Sequence, residues 1–434
     1  MNNGSYIFIE VLIINHEAAL AMGFGLVSII NYVAWFIFVF IGVVWILTLL
    51  QNKNPQENKK ALKKQKVSVI IPAYNEETTI TKCIKSILNL DYPKKLLEII
   101  VVNDCSRDNT EEVANGFRKF GVKVLSNKTN RGKSYSLNRG IKAATGTLVA
   151  CIDADSFVDS KALKNMTGYF EDLEIAAVTP AVKVLKPKTL IERIQHVEYL
   201  LNVFLRKMLA VIDAVHVTPG VFSVYRRDVL MDVGGFSEGN LTEDMDIALK
   251  IHKAGYKIEN SVNAVSYTIC PSGWRELFSQ RLRWYRGAFD NMYKYRGMMF
   301  KRRYGNLGIF LLPLNLISTL LIIFIFGSMV WGVIGSVNDF MWKMGLVNWD
   351  IGVYLKEFKF TSLFFIPFST PIMFGMFGVI IGVYLLNKSF GMTREKVKGN
   401  KMSYIIYLFL YPLIMVVFWT AALFHEIFRL KKKW

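Results

Sequence analysis

Apolar residues in this chain fall into two kinds of run. Long uncharged blocks occupy Gly23 to Leu50, Tyr304 to Asn338, Phe360 to Asn387 and Met402 to Phe424. Each exceeds the roughly 20 residues that a helix needs to cross a hydrocarbon core. Between the first two blocks, over residues 67 to 160, short apolar runs alternate with amphipathic ones: "VSVIIP", "TTITKCIKSILNL", "LEIIVV", "DNTEEVANGFRKF", "VKVL", "SYSLNRGIKAA" and "TLVACIDAD". Strand, helix, strand, helix at that spacing predicts a parallel sheet with crossover helices. The chain is therefore expected to divide into an N-terminal transmembrane anchor (1–50), a basic linker (51–66), a cytosolic α/β domain (67–275), interfacial helices (276–303), and C-terminal transmembrane helices ending in a basic tail (304–434).

Charge placement adds an orientation. The chain carries a net charge of +19, yet 52% of its residues are hydrophobic, and the basic residues crowd beside the apolar blocks in "NKNPQENKKALKKQK", "YKYRGMMFKRR", "TREKVKGNK" and "RLKKK". Juxtamembrane Lys and Arg mark the cytoplasmic face, so the expected location is a cell membrane, multi-pass, with residues 51 to about 303 in the cytoplasm. No helix-turn-helix or ribonucleoprotein signature accompanies the charge, which argues against a nucleic-acid partner. Cys83, Cys105, Cys151 and Cys270 have no metal-ligand spacing and fit reduced thiols. One count conflicts with the orientation: four simple crossings would put "RLKKK" outside. Either one block fails to cross or the rule is broken here, and Pro313, Pro367, Pro371 and Pro412 lie inside the blocks where they could break helices.

In open parallel sheets, ligands bind outside the carboxyl ends of the strands. Those ends read "PAYNEE" (72–77), "NDCSRDNT" (103–110) and "DADS" (153–156), and they present Glu76, Asp104, Asp153 and Asp155. Asp108 and Asn109 read as a helix cap. Three acidic strand ends together repel one another unless a cation offsets them, which points to Mg²⁺ or Mn²⁺ with a phosphate. Arg131, Gly132 and Lys133, before a helix, would offer backbone donors and a cation to that phosphate. The glycine spacing of a nucleotide-triphosphate loop is missing, so an ATPase reading is set aside. His16, His196, His216, His252 and His425 are scattered, without ligand spacing.

Seven motifs in order resemble the family 2 glycosyltransferases of GT-A fold, in their processive membrane branch. They are "PAYNEE", "NDCSRDNT", "NRGKSYSLN", "DADS", "VYRRDVLMDVGGF", "LTED" and "QRLRW", over roughly residues 65 to 290. The last matches the Q-x-x-R-W signature of polysaccharide synthases such as those for cellulose, chitin, hyaluronan and poly-β-1,6-N-acetylglucosamine, and the arrangement looks closest to the last of these. The resemblance implies an α/β GT-A (Rossmann-like) cytosolic domain inserted between transmembrane α-helices.

It also implies roles. Tyr74 would stack on uracil, Glu76 and Asp104 would hold the uridine, and Lys133 would contact the diphosphate. Asp153 would lie by the nucleotide, and Asp155 would bind Mg²⁺ or Mn²⁺. Gln280 and Arg283 would complete the donor site, with Arg283 suited to clamp the diphosphate. Thr242, Glu243 and Trp284 would meet the acceptor, the indole stacking on a sugar face. Asp244 would be the general base. Arg226 and Arg227 are phosphate or structural candidates, whereas Trp274, Trp331, Trp342 and Trp349 read as interfacial anchors. The implied partners are a UDP-sugar donor, a polysaccharide or oligosaccharide acceptor and the lipid bilayer, with room for a small membrane partner subunit. Competing expectations are a non-processive transferase acting on a lipid-linked acceptor, a two-donor hyaluronan-type synthase, and a transporter or receptor with a decayed transferase domain.

Overall fold

The computed structural model describes residues 3–51, 59, 61–346, 348–352 and 370–430. Half of the expected linker, the start of the third apolar block and the last four residues lie outside this set. Two compact units emerge: Met1–Leu47 with Ile317–Val383, and Thr48–Leu316 with Tyr384–Trp434.

The second unit is built on one eight-stranded sheet. Its strands are β1 (Val67–Ala73), β2 (Leu97–Asn103), β3 (Val122–Ser126), β4 (Leu148–Ile152), β5 (Ser156–Val158), β6 (Ile175–Val184), β7 (Val221–Arg226) and β8 (Lys257–Thr268), in spatial order β3-β2-β1-β4-β7-β6-β8-β5. β1 pairs in parallel with β2 and β4, as the alternation of runs predicts. All seven residues of β1 are buried, as befits a central strand covered on both faces. β7 departs from the simple pattern by pairing antiparallel with both β4 and β6. It therefore carries its preceding loop to the carboxyl end of β4.

α1 (Asn3–Gln51) precedes the sheet in the chain, and the helices among and after the strands are α2 (Ile80–Leu88), α3 (Thr110–Asn115), α4 (Lys133–Ala143), α5 (Ala162–Thr167), α6 (Leu190–Val211), α7 (Arg227–Asp232) and α8 (Glu243–Lys253). α2 buries Ile80, Cys83, Ile84 and Ile87, one helical stripe, against the core that includes Val69, Ile71 and Val101. Each such aliphatic side chain contributes about 1.5–3 kcal/mol on burial. α6 starts at a capping box, in which Thr189 Oγ1 accepts from the Glu192 N–H (3.2 Å) and the Glu192 carboxylate accepts from the Thr189 N–H (3.0 Å).

The apolar blocks form α10 (Leu312–Leu346), α11 (Thr370–Thr393), α12 (Lys401–Phe409) and α13 (Tyr411–Ile427), after α9 (Trp274–Lys294), which carries "QRLRW". Among the described residues, three stretches are long and apolar enough to cross a membrane: Ser28–Gln51, Leu307–Trp342 and Met373–Thr393. The fourth block is not one straight helix. α12 and α13 meet at a 50° bend, with Pro412 in the first turn of α13, where its missing N–H costs nothing. α13 buries Phe418 and Ala422 against Leu277 and Tyr285 of α9, with Trp419 stacked on Tyr285 at 4.2 Å. Part of its apolar surface is thus spent on protein rather than on lipid.

Candidate active site

The loops leaving β1 and β2 clasp each other. Asn75 and Cys105 adopt left-handed conformations, with φ of 56° and 60°. Those turns let the Asn75 N–H donate to Ser106 Oγ (3.1 Å) and the Arg107 N–H donate to Asn75 Oδ1 (2.8 Å). The Glu76 N–H donates to Thr110 Oγ1 (2.7 Å), and Asp108 accepts from the Thr110 N–H (3.1 Å) at the start of α3, whereas Asn109, at the N-cap itself, makes no side-chain cap bond. Tyr74 is left 40% exposed, a flat face open to a planar ligand. The Glu76 carboxyl is held above the usual range by burial, offset in part by the Thr79 hydroxyl and reinforced by Asp153.

Asp104 does something the sequence did not show. Its buried carboxylate accepts from the backbone of Arg131 (3.1 Å) and Gly132 (2.7 Å) and from Asn127 Nδ2 (2.6 Å). It is spent on shaping the turn into α4, where Gly132 takes φ 85°. That turn aims Lys133, the first residue of α4, at the centre of the site.

There Lys133 Nζ bridges two acids, Asp153 Oδ1 at 2.6 Å and Glu243 Oε1 at 2.8 Å. Against the cost of burial, these two carboxylates hold its ammonium well above the usual lysine range. The bridge ties the end of β4 to the start of α8. It is packed against Gly220, whose carbonyl accepts from the Asp153 N–H (3.0 Å) and where a β-carbon would lie 2.7 Å from both Asp153 Oδ2 and Lys133 Nζ. Asp155 has no such cation. Burial, then Asp153, push its carboxyl up to about 6, with one hydrogen bond from Ser156 (3.0 Å) in partial relief.

Asp244 lies in the first turn of α8, half-buried. Its carboxyl is likewise pushed up to about 6, by burial first and Glu243 next, while Lys133 and the Met245 N–H (2.9 Å to Oδ1) oppose the rise. Its own carbonyl accepts from the Thr218 N–H (3.2 Å) and hydroxyl (3.0 Å), so the α6–β7 loop holds the residue from below. Thr242 is buried, its oxygens accepting from Asn291 Nδ2 of α9 (2.9 Å to Oγ1, 3.2 Å to O). Gly287 permits that approach, since a β-carbon there would fall 2.4 Å from Thr242 Oγ1. Thr242 and Glu243 are therefore tied into the scaffold beside Asp244.

Of the "QRLRW" residues, Gln280, Arg283 and Trp284 are half-buried on α9, and the unassigned Arg281 touches the first and last of these. Wholly buried, Arg281 donates to Glu198 of α6 (2.5 Å) and to Gln280 Oε1 (2.9 Å) and lies 4.1 Å over the Trp284 ring. Tyr411 donates to the same Glu198 oxygen (2.8 Å). Arg226 and Arg227 prove structural, donating to the carbonyls of Ile175 (2.9 Å) and Ile141 (3.2 Å). Trp274, Trp331, Trp342 and Trp349 are all exposed. Among the described residues no three His, Cys, Asp or Glu side chains converge into a metal cage.

Residues 68–234 match the profile described as Glycosyl transferase family 2. This segment is a family 2 glycosyltransferase domain. Two curated relatives are poly-beta-1,6-N-acetyl-D-glucosamine synthases. That of Staphylococcus epidermidis is 30% identical over 264 residues, 58% of this chain and 64% of the relative. That of Staphylococcus aureus is 32% identical over 242 residues, 55% and 58% of the two chains. The chain thus matches somewhat over half the length of each. The solved mannosyltransferase PcManGT from Pyrobaculum calidifontis, in complex with GDP-Man and Mn²⁺, superposes with a TM-score of 0.59 at 20% identity, over 83% of this chain and 96% of its own, a likeness of fold.

Proposed function

We propose that the chain is an inverting, processive glycosyltransferase that moves N-acetylglucosamine from UDP-GlcNAc onto a growing β-linked polysaccharide at the cytosolic membrane face. The observation that carries the proposal is the placement of Asp244. It is a half-buried carboxylate with a raised pKa at a helix start, coupled through Glu243 and Lys133 to the acidic end of β4. The choice of sugar is supported by the names of the two staphylococcal relatives, and sugar transfer itself by the family 2 match.

In this reading the acceptor hydroxyl oxygen attacks the anomeric carbon, its proton passes to Asp244, and the bond to the diphosphate oxygen breaks with its electron pair leaving on UDP. One displacement with one base inverts the anomeric centre, turning an α-linked donor into a β product. Tyr74 and Glu76 receive the uridine, Lys133 and Arg283 the diphosphate, and Gln280 and Trp284 the sugars. Asp104 contributes by fixing the turn that delivers Lys133. A divalent cation fits beside Asp155, a strand-end carboxylate with no ion pair among the described residues, because Mg²⁺ commonly takes one or two carboxylates and completes its shell with phosphate and water. When bound, it would neutralise charge on the departing diphosphate.

The membrane arrangement follows from three crossings rather than four. With Ser28–Gln51, Leu307–Trp342 and Met373–Thr393 as the spans and the bent α12–α13 pair at the interface, the amino terminus is outside, and both the transferase domain and the basic tail are cytoplasmic. This removes the conflict with charge placement. The spans would then serve export of the product as well as anchoring.

A donor panel tests the proposal. Detergent-purified chain given UDP-GlcNAc, UDP-glucose or UDP-glucuronate with Mg²⁺ or Mn²⁺ should form high-mass product from UDP-GlcNAc alone. A requirement for two donors would indicate a hyaluronan-type enzyme, and product stopped at one added sugar would remove processivity.

A further inference from the structure

A buried chain of contacts runs from the bend in the C-terminal helices to Trp284. Tyr411 is the first residue of α13, directly after the 50° break, and Tyr407 of α12 stacks on it across that break with ring centroids 5.1 Å apart. The Tyr411 hydroxyl reaches Glu198 of α6 and donates to its Oε2 at 2.8 Å. The same oxygen accepts from Arg281 Nη2 at 2.5 Å, and all three side chains are buried. Hydrogen bonds to an ionised partner are roughly twice as strong as neutral ones. Two of them on one oxygen hold the carboxylate, and the guanidinium facing it, in one orientation.

Arg281 passes that orientation on. Its Nη1 donates to Gln280 Oε1 (2.9 Å), and its guanidinium carbon stands 4.1 Å over the indole of Trp284, one turn further along α9. A cation over one face of an indole is attracted to the ring and steadies its tilt, leaving the opposite face for another partner. Trp284 is partly exposed, and among the described residues no aromatic ring stacks on it. The next residue, Tyr285, stacks on Trp419 of α13 at 4.2 Å, so α9 and α13 are held side by side along this stretch.

We infer that Tyr411 and Glu198 are positioning residues for the acceptor: through Arg281 they set the tilt of the Trp284 indole, so that the elbow between α12 and α13 governs acceptor engagement. The inference rests on Trp284 meeting the acceptor sugar, as proposed above. Contacts behind a binding side chain are what keep it in its productive geometry, and here they come from two helices remote from α9 in sequence.

The test uses the full chain as wild type, Tyr411→Phe, Glu198→Gln and Trp284→Ala, and the two doubles that add Trp284→Ala to each of the first two. Transfer from UDP-GlcNAc is followed while an N-acetylglucosamine oligosaccharide acceptor is varied, with UDP binding and acceptor-independent UDP release measured alongside. Tyr411→Phe removes one oxygen and keeps the ring stack. It should raise the acceptor KM about three- to tenfold, within the worth of one hydrogen bond to a charged group, with UDP binding and UDP release unchanged. Glu198→Gln should raise it at least as far; if that harsher variant does not fold, Tyr411→Phe decides alone. Most of either shift should vanish in the Trp284→Ala background, because an effect carried by the indole is lost with it. A lower melting temperature with an unmoved acceptor KM, the mark of packing alone, would overturn the inference, as would full additivity in the doubles. An unmoved acceptor KM in Trp284→Ala would sink the acceptor reading of Trp284 and this inference with it, whereas a raised KM there beside an unmoved one in Tyr411→Phe sinks the inference alone.

Discussion

Replacing Asp244 by Asn should inactivate the enzyme and stabilise it. The substitution is nearly isosteric, and its side-chain oxygen can still accept the Met245 N–H now 2.9 Å from Oδ1. What it removes is a negative charge beside Glu243 and Asp153 in a poorly solvated place. The carboxyl rises from 3.8 to about 6, with burial as the first cause. At 1.36 kcal/mol per pKa unit, the ionised form bears a penalty of about 3 kcal/mol. The side chain is only half-buried, so screening reduces the usable part to about 1–2 kcal/mol. The sign follows from linkage: a carboxyl with a raised folded pKa is penalised above that pKa, and the penalty disappears below the unfolded value. Asp244→Asn should therefore be more stable than wild type at pH 8, by about 2–4 °C in melting temperature per kcal/mol, with the gap closing as pH falls from 6 toward 4. Transfer should fall by about 10²–10⁴-fold, the usual worth of a general base, while UDP binding stays near normal. Thermal unfolding at pH 8 and pH 4.5, alongside transfer and UDP-binding assays, would decide it. A variant less stable than wild type, or equally stabilised at both pH values, would refute the electrostatic account.

Three further outcomes follow from the same geometry. Gly220→Ala should push apart the Asp153–Lys133 pair that a β-carbon would meet at 2.7 Å; UDP affinity should drop at least about tenfold, and unchanged affinity would show that the pair does not shape the donor site. Arg281→Met should cost about 3–5 kcal/mol by stranding Glu198, and Glu198→Gln added to it should restore much of that stability; additive losses in the double variant would mean that the ion pair is not what is being lost. The rate should fall as pH drops through about 6, because Asp244 must be ionised to accept a proton; an acidic limb near 4 would place the base elsewhere.

The outline of the site was legible because strand ends in a parallel sheet converge by topology. "PAYNEE", "NDCSRDNT" and "DADS" each follow an apolar run, and the structure brings Glu76, Asp153 and Asp155 within one electrostatic field. What stayed hidden depends on contacts remote in sequence. Asp104 sits in an acidic strand-end motif, but its carboxylate turns beneath a loop almost thirty residues later to shape the approach of Lys133. Gly220 and Gly287 look like ordinary small residues until their neighbours are placed at 2.7 and 2.4 Å. Arg281 could not be told from Arg283 by pattern alone, since its burial is decided by Glu198 on α6. The bend before α13 was foreshadowed by Pro412, which lies in the first turn of that helix.

The role proposed for Asp244 is to drive β-linked chain growth from UDP-GlcNAc in this site. The most direct measurement is incorporation of labelled N-acetylglucosamine from UDP-GlcNAc into high-mass product by purified wild type and Asp244→Asn, with the product's anomeric configuration read by NMR. The account predicts a β-linked polymer from wild type and none from a variant that still binds UDP. An α-linked product, or equal product from both proteins, would contradict it.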